Sequence, residues 1–277
     1  MRAPIRVGAV SYLNAKPLYY RLDEFAPAPG VSLEMDVPSR LADRLAAGEL
    51  DVALIPSVEY LRGAASGYEI LPGFAIAARG AVRSVKLFCR VPFGRIERLA
   101  LDAGSRTSQA LARVWLDAAH GVRPGRIETL PMGVPIEEST ADAVLLIGDR
   151  AMTVSHEPYH AVVDLAEGWR ALTTLPFVFA LWVARPGLDL ADLPDALARS
   201  RAEGLAHAAD LAAEHGPRLG LDVATCYDYL TNVLSYDLGE PEVAGLGRFA
   251  RMAARLGLAP EGVNLVFHRG HDLAARR

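Results

Sequence analysis

The sequence predicts an α/β protein with two lobes and a ligand cleft between them. Strand-like and helix-like segments alternate from the N-terminus, a second set of strands occupies the middle of the chain, and a last long strand near residue 180 precedes an almost wholly helical tail. Such alternation is typical of sheets covered by helices. The late return to helices indicates that the chain leaves the first lobe and comes back to it.

The first predicted strands form a βαβ arrangement. An apolar run at residues 5–10 is the first strand, and residues 31–37 carry apolar side chains at every second position, which is the strand period. Residues 38–50 have the apolar stripe of a helix, and the buried strand that follows ends at Pro56. We expect parallel strands joined by a right-handed crossover.

The positions of the strands predict the lobe boundaries. Residues 1–85 together with 183–277 are expected to form lobe 1, and residues 86–182 to form lobe 2 as an insertion. Two strands, SVKLFCRV and FVFALWVAR, are expected to cross between the lobes. This is the layout of the periplasmic-binding-protein type II fold, whose ligands bind in the cleft between lobes.

Composition and charge narrow the class of protein. Of the 277 residues, 51% are hydrophobic and 22% are charged, with a formal net charge of −4. These values are typical of globular proteins, and a mildly acidic chain lacks the basic footprint that binds nucleic acid. No apolar segment approaches the roughly 18 residues of a membrane span, and no signal-peptide pattern opens the chain. We therefore predict a cytoplasmic protein without nucleic-acid or membrane partners, and leave a homodimer open.

Candidate binding residues follow the first and third predicted strands, at the carboxyl ends where open α/β sheets bind ligands. Ser11, Tyr12 and Asn14 come directly after the first strand, whereas Pro56 and Ser57 end the third. An asparagine amide both donates and accepts hydrogen bonds, and the N–H groups of a following helix favour an anion. The alternative is that these residues only cap a helix or make a turn.

Two further candidate loops belong to the predicted second lobe. Thr107 and Ser108 lie near the first turn of a predicted helix, where hydroxyl and N–H groups suit a carboxylate. The other loop consists of Ile147, Gly148 and Asp149. Glycine permits close approach of the backbone, and the aspartate is either a polar anchor or an N-cap.

Ser84 is the last candidate, because it precedes a crossing strand at the predicted mouth of the cleft. The alternative is a strand-edge hydroxyl bonded to backbone. A cluster of aromatic residues is expected in the core, although one or two of them could wall a ligand ring: Trp169, Phe177, Phe179 and Trp182.

Metal and cofactor motifs are absent from the sequence. It contains no GxSxG, HExxH or CxxC pattern, and no GxGxxG pattern follows the first strand. His156 and His160 are close together, but a zinc site needs further ligands that the sequence does not supply. We therefore expect neither a metal nor an organic cofactor.

Six segments, in order along the chain, carry a resemblance to one family: VGAVSYLNAKPL, DVALIPSVEYL, RSVKLFCRVP, LDAGSRTSQAL, DAVLLIGDRAM and TLPFVFALWVAR. They resemble the chorismate dehydratases of menaquinone biosynthesis, essentially over the whole chain. The resemblance implies a type II binding-protein fold, the futalosine route to menaquinone and chorismate as the small-molecule substrate. The implied reaction removes water from chorismate and yields 3-[(1-carboxyvinyl)oxy]benzoate.

The matched loops contain no obvious base, and this absence suggests a mechanism for the implied reaction. We hypothesise that the enolpyruvyl carboxylate of the substrate removes the C3 proton in the closed cleft. Asn14 and Ser84 would orient the departing hydroxyl and the substrate's side chain. Thr107 and Ser108 would bind a carboxylate of the substrate.

Three alternatives are weighed against this function. The related 1,4-dihydroxy-6-naphthoate synthases share the fold, but they carry a histidine where this chain has the segment 147–149 and a cysteine- and proline-containing first loop. A non-catalytic solute-binding protein usually needs an export signal. A ligand-sensing regulator needs a helix-turn-helix, and the sequence shows none.

Overall fold

The structure, a computed structural model, describes residues 3–26 and 30–269. Strands and helices alternate along the described chain, as the sequence predicts. The strands are β1 (Ile5–Val10), β2 (Val31–Asp36), β3 (Val52–Pro56), β4 (Glu69–Ala78), β5 (Val85–Cys89), β6 (Arg98–Asp102), β7 (Arg126–Leu130), β8 (Ala143–Ile147), β9 (Ala161–Asp164), β10 (Phe177–Ala184) and β11 (Leu234–Ser235).

The α-helices pack around these strands and dominate the last third of the described chain. They are α1 (Leu22–Phe25), α2 (Pro38–Ala46), α3 (Ser57–Arg62), α4 (Arg106–His120), α5 (Arg150–Thr153), α6 (Leu165–Thr173), α7 (Leu193–Ala206), α8 (Ala208–His215), α9 (Val223–Asp228) and α10 (Glu240–Arg255). Within residues 3–26 and 30–269, no helix is both long and apolar enough to cross a membrane.

Two sheets form the two lobes. The first has the strand order β11-β4-β10-β3-β1-β2 and the second has the order β7-β6-β8-β5-β9. In each sheet, a strand from elsewhere in the chain inserts antiparallel between the third and fourth strands of a local unit: β10 in the first and β5 in the second. The two lobes therefore share one topology, and the predicted two-lobed α/β architecture is confirmed.

The strand β10 corrects the expected lobe boundary at residues 182 and 183. It pairs with β4 from Phe177 to Ala184 and with β3 from Ala180 to Ala184, so that all of it belongs to the first sheet. The strand β5 pairs with β8 and β9 in the second sheet. The chain crosses between the lobes in segments 79–84 and 174–176, because a central strand needs ladder partners along its whole length.

Each crossing contains one residue with left-handed backbone. Arg83 has φ 64° and Thr174 has φ 62°, a region that non-glycine residues seldom occupy. Asp164 anchors the first crossing, since its carboxylate accepts the N–H of Val82 at 3.0 Å and that of Arg83 at 2.6 Å. The same carboxylate caps α6 by accepting the N–H of Ala166.

The core extends through both lobes. All five residues of β3 are buried, as expected of a strand in the middle of a sheet. A smaller apolar cluster around Phe88, Val144 and Leu146 lies in the second lobe. Cys89 and Cys226 are buried, unbonded thiols.

Candidate functional site

A cavity lies between the two sheets, and clefts between lobes are common places for small-molecule sites. Strands β1, β3, β4, β10 and β11 line it from the first lobe, and β5, β8 and the start of α4 line it from the second. The lining includes seven of the residues expected from the sequence: Tyr12, Asn14, Pro56, Ser84, Ser108, Ile147 and Gly148.

The cavity wall is mostly apolar and contains no charged side chain among the described residues. Phe179 is part of this wall, whereas Trp169, Phe177 and Trp182 are fully buried in the core. Each polar contact made inside is strengthened, because an apolar enclosure lowers the local dielectric constant. Among residues 3–26 and 30–269, no group of three or more His, Cys, Asp or Glu is arranged to hold a metal ion.

Asn14 reaches the cavity from a 3-10 helix, Leu13–Tyr19, where a helix was expected. Pro17 lies inside this segment and has no N–H to donate, which disfavours a regular α-helix. The side-chain oxygen Oδ1 of Asn14 is buried and accepts no hydrogen bond from any residue that the structure describes. An unpaired buried acceptor costs about 1–3 kcal/mol, so a hydrogen-bond donor on a ligand would stabilise this site.

Ser84 is held at its backbone and at its side chain. Its carbonyl accepts the N–H of Gly148 at 2.8 Å, and its Oγ lies 2.8 Å from the hydroxyl oxygen of Tyr229. Gly148 has φ 75°, which glycine adopts without strain. The Ser84 hydroxyl is 2% exposed and faces a tyrosine hydroxyl, not the backbone oxygen of the alternative interpretation.

The N-terminus of α4 provides the hydroxyl groups of the second lobe. Ser105 is the N-cap, and its Oγ accepts the N–H of Ser108 at 3.3 Å and lies 2.9 Å from the Oγ of Ser108. Both serines line the cavity. The positive end of a 15-residue helix therefore adjoins the cavity, which favours an anionic group there.

Ser57 and Thr107 do not line the cavity, so their side chains have a different position from the one expected, and their role in ligand binding stays a prediction. Both side chains are fully buried. Ser57 donates to the carbonyl of Val178 at 2.7 Å, and Thr107 Oγ1 accepts the N–H of Val58 at 3.2 Å. Their hydroxyl oxygens are 3.4 Å apart and join α3 to α4, because the two helix starts face each other across the lobes.

Asp102 holds together the two candidate loops of the second lobe. This carboxylate is 1% exposed, accepts the N–H of Gly104 at 2.9 Å and that of Ile147 at 3.2 Å, and pairs with Arg150. A Cβ at Gly104 would lie 2.9 Å from the hydroxyl of Tyr12, so a side chain at this position would displace the tyrosine. Burial, and to a lesser degree Asp102, raises the pKa of Tyr12 to about 12, which keeps its hydroxyl protonated.

Ser11 and Asp149 lie beside the cavity instead of in its wall, and their role in ligand binding stays a prediction. They line a neighbouring surface pocket together with Lys16, His215 and Arg218. Burial raises the pKa of Asp149 to about 6. An aspartate of this kind is a candidate proton acceptor, because its pKa is closer to neutrality than usual.

Comparison with known proteins identifies the family. A family model described as menaquinone biosynthesis matches residues 5–255. The chain belongs to this family. A chorismate dehydratase of Thermus thermophilus is 35% identical over 274 residues, which cover 93% of this chain and 97% of that protein. The family expected from the sequence motifs is thus confirmed.

Solved structures place this menaquinone-biosynthesis protein in the periplasmic-binding-protein-like fold. A protein of Archaeoglobus fulgidus has a TM-score of 0.70 at 20% identity and covers 92% of this chain and 98% of its own. An alkanesulfonate-binding protein of Xanthomonas axonopodis pv. citri, bound to MOPS, has a TM-score of 0.68 at 16% identity. It covers 95% of this chain and 96% of its own. At these identities the likeness shows the fold alone.

Sequence reasoning on this family member missed Ser105 and Tyr229. Ser105 could have been found from the sequence, because a serine just before an apolar helix is a common N-cap. No sequence feature pointed to Tyr229, because it is 145 positions from Ser84 and its segment contains no motif. Only the folded chain brings the two hydroxyls together.

Proposed function

We propose that this protein dehydrates chorismate to 3-[(1-carboxyvinyl)oxy]benzoate. The observation that supports the proposal is the largely apolar cavity between the lobes, whose polar groups include the unpaired amide oxygen of Asn14 and the hydroxyl of Ser84. The Thermus thermophilus relative, at 35% identity over nearly its whole length, is a chorismate dehydratase.

The proposed reaction is an elimination of water. The C3–H bond breaks and its electron pair forms the new double bond, while the C4–O bond breaks and the hydroxyl leaves. The proton and the hydroxyl together make water, and the ring becomes aromatic with its enolpyruvyl ether still attached. The protein has to position the substrate, exclude water and assist the departure of the hydroxyl.

The base in this proposal is the substrate's enolpyruvyl carboxylate. The cavity wall offers no side chain suited to the task, since Tyr12 has a pKa of about 12 and the other lining groups are neutral. Asn14 Oδ1 would accept the hydrogen of the C4 hydroxyl, and Ser84 would donate to its oxygen. Both contacts hold the leaving group still while the carboxylate takes the proton.

The anion-binding part of the proposal lies at the start of α4. The hydroxyls of Ser105 and Ser108, at the positive end of the helix, would hold a substrate carboxylate. In this proposal Ser105 takes the carboxylate-binding role that the sequence predicted for Thr107. The reason is that Thr107 Oγ1 already accepts the N–H of Val58.

The test is to mix the purified protein with chorismate and follow the products by chromatography and mass. We expect a product lighter by one water with an aromatic spectrum, and a fall in kcat of about 100-fold in both Asn14→Ala and Ser84→Ala. Tight binding with chorismate unchanged would overturn the enzyme assignment and favour a solute-binding protein.

Asp149 provides the test of the base. If the substrate supplies the base, Asp149→Asn should retain turnover within about threefold, because its side chain lies outside the cavity wall. Loss of turnover with chorismate binding intact would contradict substrate-assisted proton removal and make Asp149 the base.

The cytoplasmic location and a homodimer stay predictions, to be checked by cell fractionation and sedimentation.

A further inference from the structure

Tyr229 lies behind the cavity and is hydrogen-bonded to one of its polar groups. Its side chain is fully buried and is not part of the cavity wall. Its hydroxyl oxygen is 2.8 Å from Ser84 Oγ, and the Asn14 side chain lies close to the same hydroxyl. Tyr229 is therefore bonded to one of the two residues assigned to the departing hydroxyl and lies beside the other.

The hydrogen-bond directions follow from the available donors and acceptors. Asn14 Oδ1 has no partner among the described residues, so it does not accept the tyrosine proton. The tyrosine proton then has Ser84 Oγ as its acceptor. The opposite direction would leave a buried tyrosine proton without an acceptor, which is unfavourable.

We propose that Tyr229 is a positioning residue that makes Ser84 a hydrogen-bond donor to the substrate. With its oxygen accepting from Tyr229, Ser84 has its own O–H free to point into the cavity. Asn14 Oδ1, which has no partner among the described residues, is free to accept independently of this contact. This role rests on the proposed dehydration, in which Ser84 donates to the C4 oxygen and Asn14 accepts from the C4 hydroxyl.

The local backbone supports this role. Tyr229–Val233 form a π-helical turn between α9 and β11, and π-turns occur often at functional sites. The next residue, Leu234, lines the cavity and pairs with Ala78 of β4. The segment is thus anchored to the first sheet on one side while its first residue meets Ser84 at the crossing.

The experiment compares Tyr229→Phe with a matched control, Tyr236→Phe. Tyr236 is also a fully buried tyrosine of this region, but its hydroxyl has no partner. For Tyr229→Phe we expect kcat to fall about 10- to 100-fold while KM stays within about threefold, because only the orientation of Ser84 changes. For Tyr236→Phe we expect kcat within about twofold of the wild type.

A double-mutant cycle with Ser84→Ala separates positioning from general damage to the fold. If Tyr229 acts through Ser84, the double variant should have the kcat of Ser84→Ala alone, within about twofold. Multiplication of the two losses, or a wild-type kcat in Tyr229→Phe, would overturn the proposed role while leaving the dehydratase intact. Absence of chorismate turnover in the wild-type protein would overturn both the function and the role that rests on it.

Discussion

Asp149 illustrates how burial changes a single side chain next to the cavity. Its carboxyl has a pKa raised to about 6 because burial disfavours the charged form. The folded protein therefore holds this proton at a pH where the unfolded chain has released it. Between about pH 4 and pH 6, the free energy of unfolding therefore falls as the pH rises. Above about pH 6 the full cost of burying the charged carboxylate is present.

We expect Asp149→Asn to raise the thermal midpoint of unfolding above about pH 6 and to leave it nearly unchanged below about pH 4, since the amide carries no charge to bury. Thermal melts of both proteins between about pH 4 and pH 8 would measure this. Asp222→Asn is the control of opposite sign, because hydrogen bonds from Thr225 lower the pKa of Asp222. A pH-independent difference for Asp149→Asn would contradict the raised pKa.

At the scale of elements, the two crossings combine strain with anchoring. Thr174 ends α6 in left-handed backbone, although it is β-branched and is not a glycine. Its N–H still donates to the carbonyl of Arg170 at 2.8 Å, which closes the last helical turn. The chain then enters β10 within three residues, so the turn has to be sharp.

Replacing Thr174 with glycine should raise the free energy of unfolding by up to about 1 kcal/mol, because relief of the left-handed strain exceeds the added entropy of the unfolded chain. Urea denaturation would measure the change. Thr173→Gly is the matched control: Thr173 is helical and its hydroxyl donates to Trp169, so this variant should lose about 1 kcal/mol. Equal losses in both variants would show that the φ of Thr174 carries no strain.

Element boundaries show where sequence patterns reach their limit. The alternation of strands and helices predicted the lobes, but not that β10 lies wholly in the first sheet. Both lobes bury apolar strands, so hydrophobicity alone does not say to which sheet a strand belongs. The segment after β1 became a 3-10 helix because Pro17 lies within it.

Across the whole molecule, an ion-pair cluster connects the lobes at the start of α4. Arg106 of the second lobe binds Asp43 of α2 through two N–H groups at 2.8 and 2.9 Å, and Glu59 of α3 at 3.2 Å. A positive charge at the first position of a helix is unfavourable by itself. These carboxylates offset that cost only while the lobes are together.

Loss of this cluster should weaken closure on the substrate more than folding. We expect Arg106→Met to raise KM for chorismate up to about fivefold at low salt, with the gap to wild type shrinking at high salt and with little change in thermal midpoint. Arg123→Met is the control, since its partner Asp117 lies in the same lobe. An equal KM for wild type and Arg106→Met at low salt would contradict a closing role.

The sequence by itself determined the α/β class, the two lobes, the family and the loops from which most of the cavity wall comes. Periodicity and turn residues encode these features locally, and the matched motifs extend along the chain. Only the tertiary structure decided which hydroxyl in each loop faces the cavity. Ser105 lines the cavity where Thr107 was expected to, and the Tyr229 hydroxyl bonds to Ser84. The sequence alone did not show this, because side-chain direction depends on hydrogen-bond partners distant in sequence.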